Sequence, residues 1–196
     1  MRDDVTFWFD PGCPWTWATS RWLVAAAEQR DLRVTWRLMS LSVLNAGREF
    51  EPWIAFGARV LRVFAAVADA HGSDAVGALF TAYGHRIHDL KDPFEPLTLE
   101  KSLADAGLPP ILVAAMDAPA WDDAVRADHD AAQAAAGGEA GSPVMAYRGT
   151  GWFGPVLSPA PRGEAAGELW DDLTRFITRD GVFEVKRGRD RGPRVG

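Results

Sequence analysis

Val5-Thr6-Phe7-Trp8-Phe9-Asp10-Pro11-Gly12-Cys13-Pro14-Trp15-Thr16 decides the fold of this 196-residue chain. Val5 to Phe9 is a run of β-branched and aromatic residues, which reads as a strand. Asp10-Pro11-Gly12 is a turn cluster that ends it. Cys13 follows, then Pro14 and a helical pattern; proline suits the first turn of a helix, where its missing N–H is not needed. The spacing therefore puts Cys13 at a helix N-terminus, where unpaired N–H groups and the positive end of the helix dipole favour a negative charge. A cysteine so placed is expected to have a pKa of roughly 3.5–7.5 instead of about 8.5, and the thiolate is the nucleophile.

Outward from that stretch, residues 14–30 read as one helix, with Trp15, Trp17, Trp22, Leu23 and Ala26 among its apolar positions. Residues 32–38 alternate apolar and polar, the period of a second strand. A strand–helix–strand unit with a long helix implies parallel pairing through a right-handed crossover. The loop 39–45 leaves the carboxyl end of strand two, the end at which open α/β sheets bind ligands, and so lies on the Cys13 side. From 49 to 138 only helical spacing recurs: Trp53 to Val67, then Val76 to Tyr83, then a short helix N-capped by Thr98 and ended by Gly107. Pro109-Pro110 opens a fourth helix and Pro119 a fifth, closed by Gly137-Gly138. Residues 141–147 restore a strand, 148–151 turn, and 152–156 return. A last helix begins near Arg162-Gly163-Glu164 and carries Leu169, Trp170, Leu173, Phe176 and Ile177.

The resulting organisation is a two-part α/β domain (1–48 and 139–185), an all-helical insertion (49–138), and a basic tail (186–196) expected to be mobile. Nearly half the residues are apolar and the formal charge is −6, so neither nucleic acid nor a membrane surface is an expected partner. No apolar run approaches the roughly 20 residues of a membrane span. Met1 to Val5 enters a strand directly, which leaves no room for a signal peptide and predicts a cytoplasmic protein.

The chain contains one cysteine. Cys13 can be a thiol, an oxide, a mixed disulfide or half of an intermolecular bridge, and nothing else. Insertion of disulfides into other proteins would need a second thiol from elsewhere. With one cysteine, and with His71, His85, His88 and His129 at no ligand spacing, no metal is expected.

Strand, turn, Cys-Pro and helix resemble the active-site start of a thioredoxin fold, and Phe7 to Trp15 resembles its DsbA-like branch, which carries a helical insertion. Met39-Ser40-Leu41, residues 102–109, Phe153 to Ser158 and residues 161–171 extend the likeness to the mycothiol-dependent nitroreductases of that branch. The resemblance covers nearly the whole chain. It implies a thioredoxin-like α/β fold with the helical insertion between strands two and three. It also implies a thiol-dependent oxidoreductase whose cofactor is a low-molecular-weight thiol, mycothiol or else glutathione. Family members commonly carry a second cysteine where this chain has Thr16. A hydroxyl one turn from Cys13 can donate to the sulfur but cannot resolve a mixed disulfide, so an external thiol must. The matching proline of thioredoxin folds is cis and faces the cysteine, which assigns that place to Pro143 and frees the Ser142 backbone to pair with a peptide-like ligand.

The expected site is therefore Cys13 and Thr16 for catalysis, with Pro14, Trp15, Asn45, Ser142, Pro143 and Trp152 binding the thiol or substrate. Trp53 is a further candidate for a flat pocket wall, and His88 reads as a surface histidine. The expected partners are a small thiol and a small electrophile or disulfide, with a homodimer left open. Two other readings remain: a thiol-conjugate transferase or isomerase resembling kappa-class glutathione transferases, against which Cys13 counts because those carry serine there, and a non-catalytic redox sensor.

Overall fold

The computed structural model describes residues 3–49 and 52–194. Phe50 and Glu51 of the expected insertion, and Val195 and Gly196 of the basic tail, lie outside the described residues.

Strand β1 (Asp3–Phe9) leads into α1 (Pro14–Arg30) and back to β2 (Leu32–Leu38), paired in parallel with β1 from Asp3↔Leu32 to Phe9↔Leu38. Strands β3 (Val144–Tyr147) and β4 (Thr150–Phe153) complete a sheet of order β2-β1-β3-β4, antiparallel at β1–β3 and β3–β4. Between β2 and β3 lie α2 (Leu41–Leu44), α3 (Pro52–Gly84), a π-helical turn (His85–Asp89), α4 (Pro96–Asp105), two 3₁₀ segments (Pro110–Asp117 and Pro119–Trp121) and α5 (Asp122–Ala136). Helix α6 (Glu164–Ile177) follows the hairpin. This is the expected thioredoxin-like α/β fold with an all-helical insertion.

β1 is central, and its sequence is apolar on both faces for that reason. Val5, Phe7 and Phe9 face the main core, while Trp8 is buried on the other side with Met39, Val144 and Ala132. Phe9 joins the sheet to the insertion: its ring stacks on Phe80 of α3 at 4.0 Å and meets Phe64 edge-on at 5.6 Å. Burying such a side chain contributes about 2–3 kcal/mol. α6 is fastened to α1 by Trp22 Nε1 donating to the Ala166 carbonyl and by Arg30 pairing with Glu164 and Asp171. α5 grips the edge strand: Asp128 accepts from the Leu38 N–H and from the Arg37 guanidinium.

Five local expectations change. Trp53 to Tyr83 forms two helical stretches as read, but they meet without a loop at Gly72, whose φ of 77° breaks α3. Thr98 is not an N-cap: Pro96 starts α4, the extended Glu95 precedes it, and Thr98 is buried in the first turn. Pro110 opens a 3₁₀ segment, not an α-helix. The β3–β4 turn is two residues long, Arg148 and Gly149, both at positive φ, so Thr150 and Gly151 join β4; that geometry matches the twist of a tight hairpin. β4 stops at Phe153, short of Val156, because Gly154 turns at φ 89° into a cis bond to Pro155.

The basic tail is docked. Ser158 Oγ donates to the Gly192 carbonyl and accepts from the Arg194 N–H, each at 2.9 Å, and the Arg189 guanidinium lies 4.7 Å from the centre of the Trp15 ring. A cation over an indole face and two hydrogen bonds to one hydroxyl override the expectation that a charged terminal segment is free.

Candidate active site

Asp10-Pro11-Gly12 closes into a turn through the Cys13 N–H donating to the Asp10 carbonyl at 3.1 Å. Cys13 is then the N-cap of α1, with φ −81° and ψ 115°, and Pro14 is its first helical residue. The Cys13 sulfur lies 4.0 Å from the Ser142 carbonyl oxygen, and the Ser142–Pro143 bond is cis. Ser142 Oγ accepts two hydrogen bonds, from the Asp10 N–H at 2.9 Å and from Thr16 Oγ1 at 2.8 Å. Cys13, Thr16 and Ser142 thus meet at one point, flanked in the chain by Pro14 and Pro143, although 129 positions separate the cysteine from Ser142.

Asp10 ties that point to the neighbouring loop. Its side chain is buried and accepts from the Gly12 N–H at 2.9 Å and the Leu41 N–H at 2.8 Å. Burial pushes its carboxyl up to about 6, against the two N–H groups that favour the charged form. The turn reading of Asp10 missed this role. The readable signal was local, since an Asp accepting from the N–H two residues on is an Asx-turn, the habit of Asp before Pro-Gly.

His88 is not a surface residue. Its side chain is buried, Nε2 lies 3.0 Å from the Pro11 carbonyl oxygen, and the ring stacks on Trp17 at 6.0 Å. Burial pushes it down to about 4, so it is neutral at pH 7; because a carbonyl only accepts, Nε2 carries the hydrogen. Trp17 in turn donates from Nε1 to Asp89 at 2.9 Å, and His85 reaches the other Asp89 oxygen at 2.9 Å. The π-helical turn His85–Asp89 therefore holds the loop before Cys13 from below, and such turns concentrate at functional sites.

The expected low pKa of Cys13 is overturned. The residue is 7 % exposed, and burial pushes the thiol above its ordinary value. The Thr16 hydroxyl and the Thr16 and Trp15 backbone N–H groups favour the thiolate, but burial outweighs them and the Asp10 carboxylate adds to the upward push. Helix position alone promised an activated sulfur; desolvation, invisible in the sequence, wins in this structure.

Residues 12–187 match the model of the Rv2466c-like family, described as mycothiol-dependent nitroreductase Rv2466c. The chain belongs to the Rv2466c-like family. It is 35 % identical over 190 residues to the uncharacterized protein Rv2286c of Mycobacterium tuberculosis (strain ATCC 25618 / H37Rv), across 93 % of this chain and 81 % of that protein. In fold it is similar to the probable DsbA oxidoreductase SCO1869 from Streptomyces coelicolor, with a TM-score of 0.58, 20 % identity and all of both chains covered. It is likewise similar to the cytosolic disulfide reductase DsbM from Pseudomonas aeruginosa, solved with GSH, with a TM-score of 0.58, 17 % identity, 88 % of this chain and 100 % of that chain. Membership makes this Rv2466c-like protein a thiol-dependent oxidoreductase.

The remaining sequence candidates divide. In this Rv2466c-like protein Trp15 is half-buried beneath Arg189. Trp53 stands beside the active-site turn, its ring 3.1 Å from where a Cβ on Gly12 would sit, so glycine there lets the indole close in. Asn45 ends α2 and gives its amide N–H to the Leu41 carbonyl at 2.7 Å. Trp152 does not line the site. It points from β4 into the main core, 6 % exposed, opposite Met145 in the register. Pairing periodicity, not aromatic character, decides its side of the sheet. Among the described residues no three His, Cys, Asp or Glu side chains are grouped to hold a metal ion.

Proposed function

We propose that this chain is a monothiol oxidoreductase in which Cys13 works with an external low-molecular-weight thiol, mycothiol by family. The observation that carries the reading is that the sole cysteine caps α1 with its sulfur at the Ser142 carbonyl, while the first-turn position opposite it holds Thr16. No second protein sulfur can resolve a mixed disulfide there.

The steps balance as follows, with M–SH for the small thiol. The Cys13 thiolate attacks the M sulfur of a mixed disulfide R–S–S–M; the Cys13–S–S–M bond forms, the original S–S bond breaks, and R–S⁻ leaves to take a proton from water. A second M–S⁻ then attacks the M sulfur of that adduct, releasing M–S–S–M and the Cys13 thiolate. The sum is R–S–S–M + M–SH → R–SH + M–S–S–M: the R sulfur passes from disulfide to thiol and the sulfur of one M–SH from thiol to disulfide. The family description supports a flat nitro compound as a second acceptor class, for which two M–SH supply the two electrons that take Ar–NO₂ to Ar–NO and water. In this reading the Ser142 backbone receives the peptide-like part of the thiol, and Trp15 and Trp53 flank an apolar group.

The thiolate must form in a desolvated place. Thr16 is suited to help, because one rotation of its hydroxyl moves the proton from Ser142 Oγ toward the sulfur. Incubation of the native protein with mycothiol disulfide, read by intact mass, tests the proposal. The expected result is one mycothiol adduct per chain, removed by excess mycothiol and absent in Cys13→Ser. A protein that gains no adduct across the range pH 7–10 while still folded overturns it. Disulfide or nitro turnover that survives Cys13→Ser would move the protein to the transferase-like reading instead.

A further inference from the structure

We propose that the cavity of about 640 Å³ between α1, residues 159–163 and the C-terminal segment binds a small organic anion, a carboxylate or a phosphate ester, among the guanidiniums of Arg21, Arg162 and Arg194. The site lies outside the Cys13 chemistry. Arg21 is eight residues beyond Cys13 along α1, about 12 Å at the helical rise.

Three features point to a missing negative charge. First, several arginines elsewhere in the fold are paired: Arg30, Arg33, Arg37, Arg62 and Arg86 each meet a carboxylate. Among the described residues Arg21, Arg162 and Arg194 make no ion pair, and all three line this one cavity. Second, Arg21 meets no carboxylate in an ion pair: it donates to Ser20 Oγ at 3.2 Å and to Thr81 Oγ1 at 3.1 Å, its guanidinium lies 4.2 Å from the centre of the Trp17 ring, and its buried Nη2 has no acceptor. A buried N–H without an acceptor is costly. Third, the same wall carries only two carboxylates, Asp89 and Glu28. Three cations against two anions leave the cavity positive.

Guanidinium forks match carboxylate and phosphate oxygens two at a time, which fixes the ligand class. α6 adds a lesser contribution. It is fourteen residues long, it starts at the cavity edge, and its N-cap Gly163 offers no side chain to its first N–H groups, so these are open to the same oxygens.

Titration calorimetry at low ionic strength with inorganic phosphate, and separately with succinate, tests the site and distinguishes the two sources of the anion. The expected result is a saturable one-site isotherm for at least one probe. Affinity should fall at least about tenfold in the Arg162→Ala/Arg194→Ala variant, the equivalent of about 1.4 kcal/mol. Arg162→Lys/Arg194→Lys, which keeps the charges but loses the bidentate forks, should bind between the parent and the alanine variant. Both side chains are exposed, and near-UV circular dichroism of each variant reports that the fold is kept. No saturation by about 10 mM of either probe, or equal binding in the folded alanine variant, overturns the site. Binding must be the same in Cys13→Ser, so loss of the thiol chemistry and loss of this site are read separately.

Discussion

Thr16 Oγ1 donates a 2.8 Å hydrogen bond to Ser142 Oγ, joining the first turn of α1 to the residue before the cis proline across 126 positions of sequence. The sequence led us to expect that hydroxyl on the Cys13 sulfur. In this structure its proton rests on Ser142, which also accepts from the Asp10 N–H. The hydroxyl is thus shared property of the loop junction and of the thiol.

Thr16→Val removes the donor at nearly constant shape. Ser142 Oγ keeps one partner, so the stability loss should be about 1–2 kcal/mol. The Cys13 thiol should rise further, because a group that favours its thiolate is gone. The pH profile of Cys13 alkylation, shifted to the alkaline side of the parent, checks this; an unshifted profile removes Thr16 from the chemistry.

Asp10→Asn should do the reverse to the thiol. It deletes the carboxylate charge that pushes Cys13 up, so alkylation at pH 8 should be faster than in the parent. A slower reaction would mean that the lost hydrogen bond to Leu41 or Gly12 matters more than the charge.

Asp10 and His88 oppose each other in acid. The Asp10 carboxyl is raised to about 6, so its stabilising contribution is full below about pH 4 and is lost as pH climbs through 6, about 3 kcal/mol in all. His88 is lowered to about 4, so its contribution is full above about pH 6.5 and is lost as pH falls toward 4, also about 3 kcal/mol. The two nearly cancel in the parent between pH 4 and 6.5. Urea unfolding of Asp10→Asn should therefore show a steep loss of stability on acidification that the parent lacks, and His88→Asn the opposite slope. Parallel pH curves for all three proteins would show that neither group titrates as its burial implies.

Arg189 sits on the ring that the sequence marked as a substrate platform. Removing residues 186–196 should bare Trp15 and speed alkylation of Cys13, and Arg189→Ala should give part of the gain, since an exposed cation–π contact contributes only about 0.5–1 kcal/mol. Rates equal to the parent in the truncated chain would leave the segment without influence on the site.

The chemistry of single residues and their neighbours was enough to locate much of this protein. Alternation marked β2 to the residue, Pro14 and the Asp10-Pro11-Gly12 turn marked where α1 begins, and helical spacing without any strand marked the insertion. These signals are local: backbone propensity and periodicity act over a few residues and leave their trace in order along the chain. The burial of His88 against the Pro11 carbonyl, the docked tail, the inward face of Trp152 and the raised thiol of Cys13 left no such trace. Each depends on how much water distant segments exclude and on which partners they bring. Desolvation and long-range hydrogen bonding arise only when the chain is packed, so tertiary structure alone decided them.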